Sequence, residues 1–263
     1  MRLGIIGTGA IGRFVYDELL KRGFSMRALL VRAGRVLELG AQFPNVRCVA
    51  TVADLPTDID HVIDCAGHSA LRTHGPDILR RGIDLTTVSL GALADSDLYQ
   101  TLDEAAAAGN AVFTLASGAV GGLDCLRAAR VGTLRTVTYT GRKPPAGWKG
   151  SPAEQQLDLD ALVDEAHVHF SGTAREAATQ YPKNANVAAA VAIAGIGFDA
   201  TRVELIADPN VDQNVHHIAA SGDFGDFSFV LRGNALPSNP KSSALAAMSV
   251  VSQLAQASQR IRF

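Results

Sequence analysis

A chain of 263 residues, 47% hydrophobic and 19% charged, holds enough apolar material for one large domain or two modest ones, and this composition excludes a disordered chain. A formal net charge of −2 without a basic stripe argues against nucleic acid as a partner, and no run of about 18 apolar residues offers a membrane span. Cys48, Cys65 and Cys125 are odd in number and widely spaced, so they suggest reduced thiols in the cytoplasm and form no metal-ligand pattern; no metal is expected.

The first segment, MRLGIIG, reads directly as a strand over residues 3–6 and lacks the apolar region and cleavage site of a secretory leader. Residues 10–21 carry Ile11, Phe14, Val15, Leu19 and Leu20 at helical spacing. Residues 26–31, 61–65, 84–88 and 111–115 continue the strand series, with helices expected near 71–81 and 97–108. Strands alternating with helices predict a parallel, doubly wound sheet.

Beyond residue 116 the pattern changes. Residues 121–130 read as a helix able to bridge two domains, 134–140 as a strand, and the Pro- and Gly-rich 143–152 as a loop. Residues 174–181 and 186–196 are helical by pattern. Residues 201–207, 215–220 and 226–231 are strand candidates with short connections, expected to form an antiparallel meander. Residues 242–259 carry Leu245, Met248, Val251 and Leu254 at helical spacing and are expected to pack back on the first domain. The expected architecture is α/β: a doubly wound parallel sheet over residues 1–116 with 240–263, and a smaller α/β substrate domain with a mixed or antiparallel sheet over 117–239.

Gly7-Thr8-Gly9-Ala10-Ile11-Gly12 follows a strand and opens a helix, which is the context of a Rossmann dinucleotide fingerprint. Gly7 permits the tight turn, Gly9 lets the backbone approach a pyrophosphate, and Gly12 lets helix and strand pack closely. Helix N–H groups then face the phosphate charge. The second strand runs into Leu30-Val31-Arg32, where such sites ordinarily place an acid for the ribose 2′-hydroxyl. Arg32 can instead pair with a 2′-phosphate through its fork of donors. The plainer alternative makes Arg32 and Arg35 solvated loop residues.

The second half resembles the L-aspartate dehydrogenase family. The segments that carry the resemblance are Ser117-Gly118-Ala119-Val120-Gly121-Gly122-Leu123-Asp124, Arg142-Lys143-Pro144-Pro145, Gly172-Thr173-Ala174-Arg175-Glu176-Ala177, Tyr181-Pro182-Lys183-Asn184-Ala185-Asn186-Val187-Ala188, Thr201-Arg202-Val203, Ala207-Asp208-Pro209 and Asn214-Val215-His216-His217-Ile218. The resemblance implies oxidation of L-aspartate to iminoaspartate with NAD or NADP, in a cytoplasmic homodimer, with the imine going on to oxaloacetate and ammonia or into quinolinate and NAD synthesis. The missing acid after the second strand departs from strict NAD preference.

His216 falls in the N-x-H-x-I run where the resemblance places the catalytic histidine, and it also counts as a substrate contact. An ordinary pKa near 6.5 suits acid–base work around neutrality. His217 faces the other way in a regular strand, so one histidine of the pair reaches a site. A strand histidine taken alone is more often structural. Cofactor contacts are expected at Gly7, Gly9, Ala10, Ile11, Gly12, Arg32, Ala66, Ala119, Val120 and Asn186. Substrate contacts are expected at Ser117, Lys183, Asn184 and Asn186, with Arg142 and Lys143 as further carboxylate binders. Surface charge and helix capping are the ordinary roles of such residues. Cys65 and Cys125 read as buried, inert thiols.

Two alternatives differ in class. A dihydrodipicolinate-reductase-like enzyme would carry a Lys soon after its His-His pair, whereas Ile218-Ala219-Ala220-Ser221-Gly222-Asp223 has none. The other is a non-catalytic dinucleotide sensor or binding protein, which rate assays with L-aspartate and either cofactor would separate from an enzyme.

Overall fold

The computed structural model describes residues 1–182 and 184–261, and for residues 240 and 241 the backbone alone. In chain order the elements are β1 (Arg2–Ile6), α1 (Ala10–Lys21), β2 (Ser25–Leu30), α2 (Val36–Gln42), β3 (Arg47–Val49), β4 (His61–Asp64), α3 (His68–Arg80), β5 (Asp84–Thr87), α4 (Ser96–Gly109), β6 (Phe113–Leu115), α5 (Leu123–Ala129), β7 (Leu134–Lys143), β8 (His167–Thr173), α6 (Ala174–Gln180), α7 (Asn186–Ala194), β9 (Arg202–Ala207), β10 (Asn214–Gly222), β11 (Gly225–Gly233), β12 (Ala235–Leu236), β13 (Asn239–Ser243) and α8 (Ala244–Ala257). They divide into two compact units, Met1–Ala116 with Ala246–Phe263, and Ser117–Leu245.

The first unit carries a six-stranded sheet in the order β3-β2-β1-β4-β5-β6, parallel throughout. Helices cover a parallel sheet on both faces, so its central strands are buried without alternation. β1 buries Leu3, Gly4, Ile5 and Ile6 in succession, and β4 buries all four of its residues. Val15 and Leu19 of α1 pack on this sheet with Leu3, Ile5 and Ile63. Val251 and Leu254 of α8 join the same core, as the helical spacing predicts, and Val250 joins them; Met248, expected on the same stripe, is exposed instead. Asp95 caps α4 by accepting from the N–H groups of Asp97 and Leu98, and left-handed Asn110 ends that helix.

The second unit is built on a five-stranded sheet, order β11-β10-β7-β9-β8. β10 pairs antiparallel with β11 and β7, and β8 pairs antiparallel with β9. The expected meander is therefore corrected: β9 does not neighbour β10 but runs parallel to β7, which lies between them. Strand order is a matter of tertiary packing, and a short β9–β10 connection does not fix it. β8, unforeseen in the sequence, pairs across an irregularity at His169 that breaks the two-residue alternation a strand is recognised by. The expected loop at 143–152 instead contains the end of β7 and short 3₁₀ turns at Pro145–Trp148 and Pro152–Gln155. α7 is buried nearly all round because Ala188, Ala189, Ala190, Ala192 and Ala194 let its neighbours approach closely. Among the described residues no helix is long and apolar enough to cross a membrane.

Candidate active site

At the carboxyl end of β1, Gly7 takes a φ of +87°, which a side chain rarely tolerates. A Cβ on Gly7 would stand 2.8 Å from the Ala66 Cβ, and one on Gly12 would stand 2.2 Å from the Gly7 carbonyl oxygen. Strand, turn and helix are therefore in backbone contact. Gly9 differs, because nothing lies within 4 Å of where its Cβ would be. It precedes α1 without a side-chain cap, and the first turn of α1 holds no acid. Open space before an uncapped helix N-terminus is what an approaching phosphate requires.

A cavity of about 490 Å³ opens beside this turn, lined by Gly7, Thr8 and Gly9, by Val31 and Arg32, by Arg35 and by Ala66, Ser69 and His74. No Asp or Glu is among its lining residues. Arg35 pairs with Glu38, whereas Arg32 has no ion-pair partner among the described residues. The Ala66 N–H donates to Asp64, whose other oxygen accepts from Thr87 and Ser89, so one buried carboxylate ties together the ends of β4 and β5. Burial raises the Asp64 pKa, against these hydrogen bonds that lower it. These residues fit a dinucleotide: a glycine cradle for the pyrophosphate and an acid-free end for the ribose.

The second unit gathers a different chemistry. His216 is buried on β10, and its Nδ1 lies 2.8 Å from the Tyr139 hydroxyl of β7. Burial, with the nearby Lys143 charge, pushes the His216 pKa down to about 4. His217 points to the other face and bonds Ser228 at 2.7 Å. β10 alternates along its length, burying His216, Ile218, Ala220 and Gly222, and this period of two separates the adjacent histidines.

Lys143 ends β7, donates to Asn184 Oδ1 at 2.5 Å and sits 4.7 Å over the Trp148 ring. Burial lowers its pKa to about 8. The Trp148 indole N–H donates to the Ile206 carbonyl, and His169 packs edge-on against Trp148 at 4.4 Å while bonding the Tyr181 hydroxyl at 3.0 Å. Burial holds His169 near 4, with His167 and Lys143 adding to the effect.

Of the residues expected from the sequence, Gly7, Gly9, Arg32 and Ala66 line the cavity, and Ala10, Ile11 and Gly12 begin α1. Asn184 meets Lys143, and Lys143 lies close enough to act on His216. Ser117 is exposed, Ala119 and Val120 are buried after Gly118, and Asn186 begins α7. Lys183 lies outside the described residues. Arg142 is held by Asp208 at 2.5 Å, so its charge is already paired. Cys125 is exposed, not buried, because the short α5 buries Leu126 alone. Cys65 is half-buried, and burial together with Asp64 raises its thiol well above the ordinary range, which keeps it protonated. Tyr139, Trp148 and His169 carry no sequence motif that marks them for this site. Alternation along β7 puts Tyr139 on the face of Gly141 and Lys143, but pairing with His216 depends on strand order.

A parallel sheet with a phosphate-ready glycine turn, followed in the chain by a unit that buries a neutral histidine near a lysine, defines a dinucleotide-dependent oxidoreductase. Residues 7–116 match the family described as homoserine dehydrogenase, NAD binding domain, and residues 124–257 that described as aspartate dehydrogenase, C-terminal. An L-aspartate dehydrogenase of Ruegeria pomeroyi is 51% identical over 262 residues, spanning 100% of this chain and 94% of the relative. One from Ralstonia nicotianae is 46% identical, spanning 97% of this chain and 96% of the relative. The crystal structure of aspartate dehydrogenase from Thermotoga maritima shares the fold, with a TM-score of 0.78 at 24% identity over 100% of this chain and 99% of that one. The chain belongs to the L-aspartate dehydrogenase family, and its cofactor is NAD or NADP.

Proposed function

We propose that this protein oxidises L-aspartate to iminoaspartate, with His216 as the catalytic group. The cofactor would be held by Gly7, Gly9, Ala10, Ile11, Gly12, Arg32 and Ala66, with Ala119, Val120 and Asn186 as further contacts, and it would supply the hydride acceptor. The reaction removes the Cα–H electron pair from the substrate, and loss of a proton frees the nitrogen lone pair that closes the C=N bond. At neutral pH a histidine with a pKa near 4 enters this step uncharged. A neutral imidazole can take a proton, or it can donate a hydrogen bond to a carboxylate or a water.

Lys143 is the carboxylate binder we favour, because a buried ammonium that has lost hydration gains most from an anion. Ser117, Lys183, Asn184 and Asn186 complete the proposed substrate set. The observation that carries the reading is the grouping of His216, Lys143 and Asn184 within one unit of a chain so similar to L-aspartate dehydrogenases. Unpaired cysteines suit the cytoplasm we propose as its compartment, and a homodimer is the assembly we propose, checked by analytical ultracentrifugation.

Initial rates of NAD and NADP reduction test the substrate. L-Aspartate should support turnover, while glutamate and homoserine should do so poorly, because a misplaced or missing carboxylate leaves buried donors unpaired. Lys143→Met should raise the KM for L-aspartate without weakening cofactor binding. Equal kcat/KM with glutamate would contradict the proposed site.

A further inference from the structure

Tyr139 and His216 sit diagonally across the β7–β10 pair, where His216 faces Gly141 and Tyr139 faces Ile218. Their rings lie 20° from parallel with centroids 6.0 Å apart, and the hydroxyl meets Nδ1 at 2.8 Å. Gly141 leaves the room this contact needs: a Cβ there would stand 2.7 Å from the Tyr139 hydroxyl oxygen and 3.2 Å from Leu205 Cδ2. We propose that Tyr139 is a positioning residue whose hydroxyl donates to His216 Nδ1 and fixes the neutral ring as the Nε2–H tautomer. His216 then meets the substrate as a hydrogen-bond donor and not as a base.

Tyr139 is 2% exposed, and among the described residues its hydroxyl has His216 Nδ1 as its partner. If Nδ1 carried the proton and donated to the phenol oxygen, the phenol O–H would be buried with no acceptor. An undonated buried proton is the costlier vacancy, since an oxygen with a spare lone pair is tolerated more readily. Burial also raises the Tyr139 pKa well above its ordinary value, so the phenol keeps its proton. The bond made at one ring nitrogen decides the state of the other. Nε2 has no partner among the described residues, so its N–H is the end left for a ligand: a substrate carboxylate or a water oxygen.

This inference rests on the proposed catalytic role of His216 but is tested apart from it. Imidazole ¹⁵N spectra of the labelled full-length protein at neutral pH report the tautomer directly, with the His216 signals identified by their loss in His216→Ala. The expected spectrum has an unprotonated Nδ1 and a protonated Nε2. Tyr139→Phe should shift both resonances toward a tautomer mixture and lower kcat roughly tenfold, the scale of one unmade buried hydrogen bond. A protonated Nδ1 in the unaltered protein overturns the proposal, as does a Tyr139→Phe protein with unchanged resonances and kcat. Should Tyr139→Phe fail to fold, the spectrum of the unaltered protein still decides. Near-normal kcat in His216→Ala would instead remove the catalytic role while leaving the tautomer assignment in place.

Discussion

One methyl group added at Gly9 and, separately, at Gly12 should divide cofactor binding from folding. At Gly12 the new Cβ would lie 2.2 Å from the Gly7 carbonyl oxygen, a backbone atom that moves only if β1 and α1 part. Overpacking of this kind costs about 1–3 kcal/mol. At about 2–4 °C per kcal/mol for a chain of this size, Gly12→Ala should lower Tm by roughly 2–12 °C. At Gly9 the methyl meets no protein atom within 4 Å, and a φ of −68° suits alanine. Its effect on Tm should stay within about 2 °C, because a small loss at the helix start offsets a small gain from a stiffer unfolded chain. The space it fills is the space a pyrophosphate needs, so Kd for the dinucleotide should rise by roughly tenfold or more, the scale of a lost charge-assisted hydrogen bond. Differential scanning fluorimetry without cofactor and calorimetric titration with NAD and NADP read the two effects. A Gly9→Ala protein that binds either cofactor normally, or a Gly12→Ala protein of unaltered Tm, would contradict these roles of the two glycines.

Arg32→Asp should raise the KM for NADP by roughly tenfold or more while changing that for NAD little, because a guanidinium–phosphate pair is lost; an unchanged cofactor ratio in steady-state kinetics would exclude Arg32 as the phosphate contact. His216→Ala should lower kcat by about 10²–10³-fold, the scale of a lost preorganised hydrogen-bond donor, with cofactor binding intact, whereas His217→Ala, which loses an outer-face bond to Ser228, should retain most activity; the reverse pattern in the same assay would contradict the assignment. Acid should destabilise the fold through its buried histidines. His61, His169 and His216 are each pushed mainly by burial from 6.5 to about 4, so between those values the unfolded chain takes up protons first and stability falls as pH falls. Each contributes on the order of 3 kcal/mol by pH 4, and His169→Phe should flatten the pH dependence of urea unfolding; an unchanged slope would show that His169 is not held neutral.

The parallel sheet was legible because central strands such as β1 and β4 are buried on both faces and appear as short runs without alternation, whereas the three-residue edge strand β3, Arg47–Val49, is too short and too polar to stand out. The glycine turn was legible because each glycine answers a separate steric demand, met in turn by Ala66, by open space and by the Gly7 carbonyl. The separation of His216 from His217 followed from the two-residue period of a strand, and β10 keeps that period without a bulge beside them. The family resemblance supplied what no local pattern holds, namely which histidine to single out. Other features escaped because they arise from packing. β7 lies between β9 and β10, and the pairing of Tyr139 with His216 follows from that order. Lys143 and Asn184, 41 positions apart, meet through the fold, and the irregularity at His169 concealed β8.

If this protein takes hydride from Cα of L-aspartate, a deuterium placed on that carbon must pass to the cofactor. Mass spectrometry of the reduced cofactor after incubation with L-aspartate deuterated at Cα reads that transfer. One deuterium should appear in the reduced nicotinamide of NAD or NADP, formed together with ammonia, and should be lost in His216→Ala over the same interval. Reduced cofactor without deuterium, or no L-aspartate-dependent reduction of either dinucleotide, would contradict hydride transfer from that carbon.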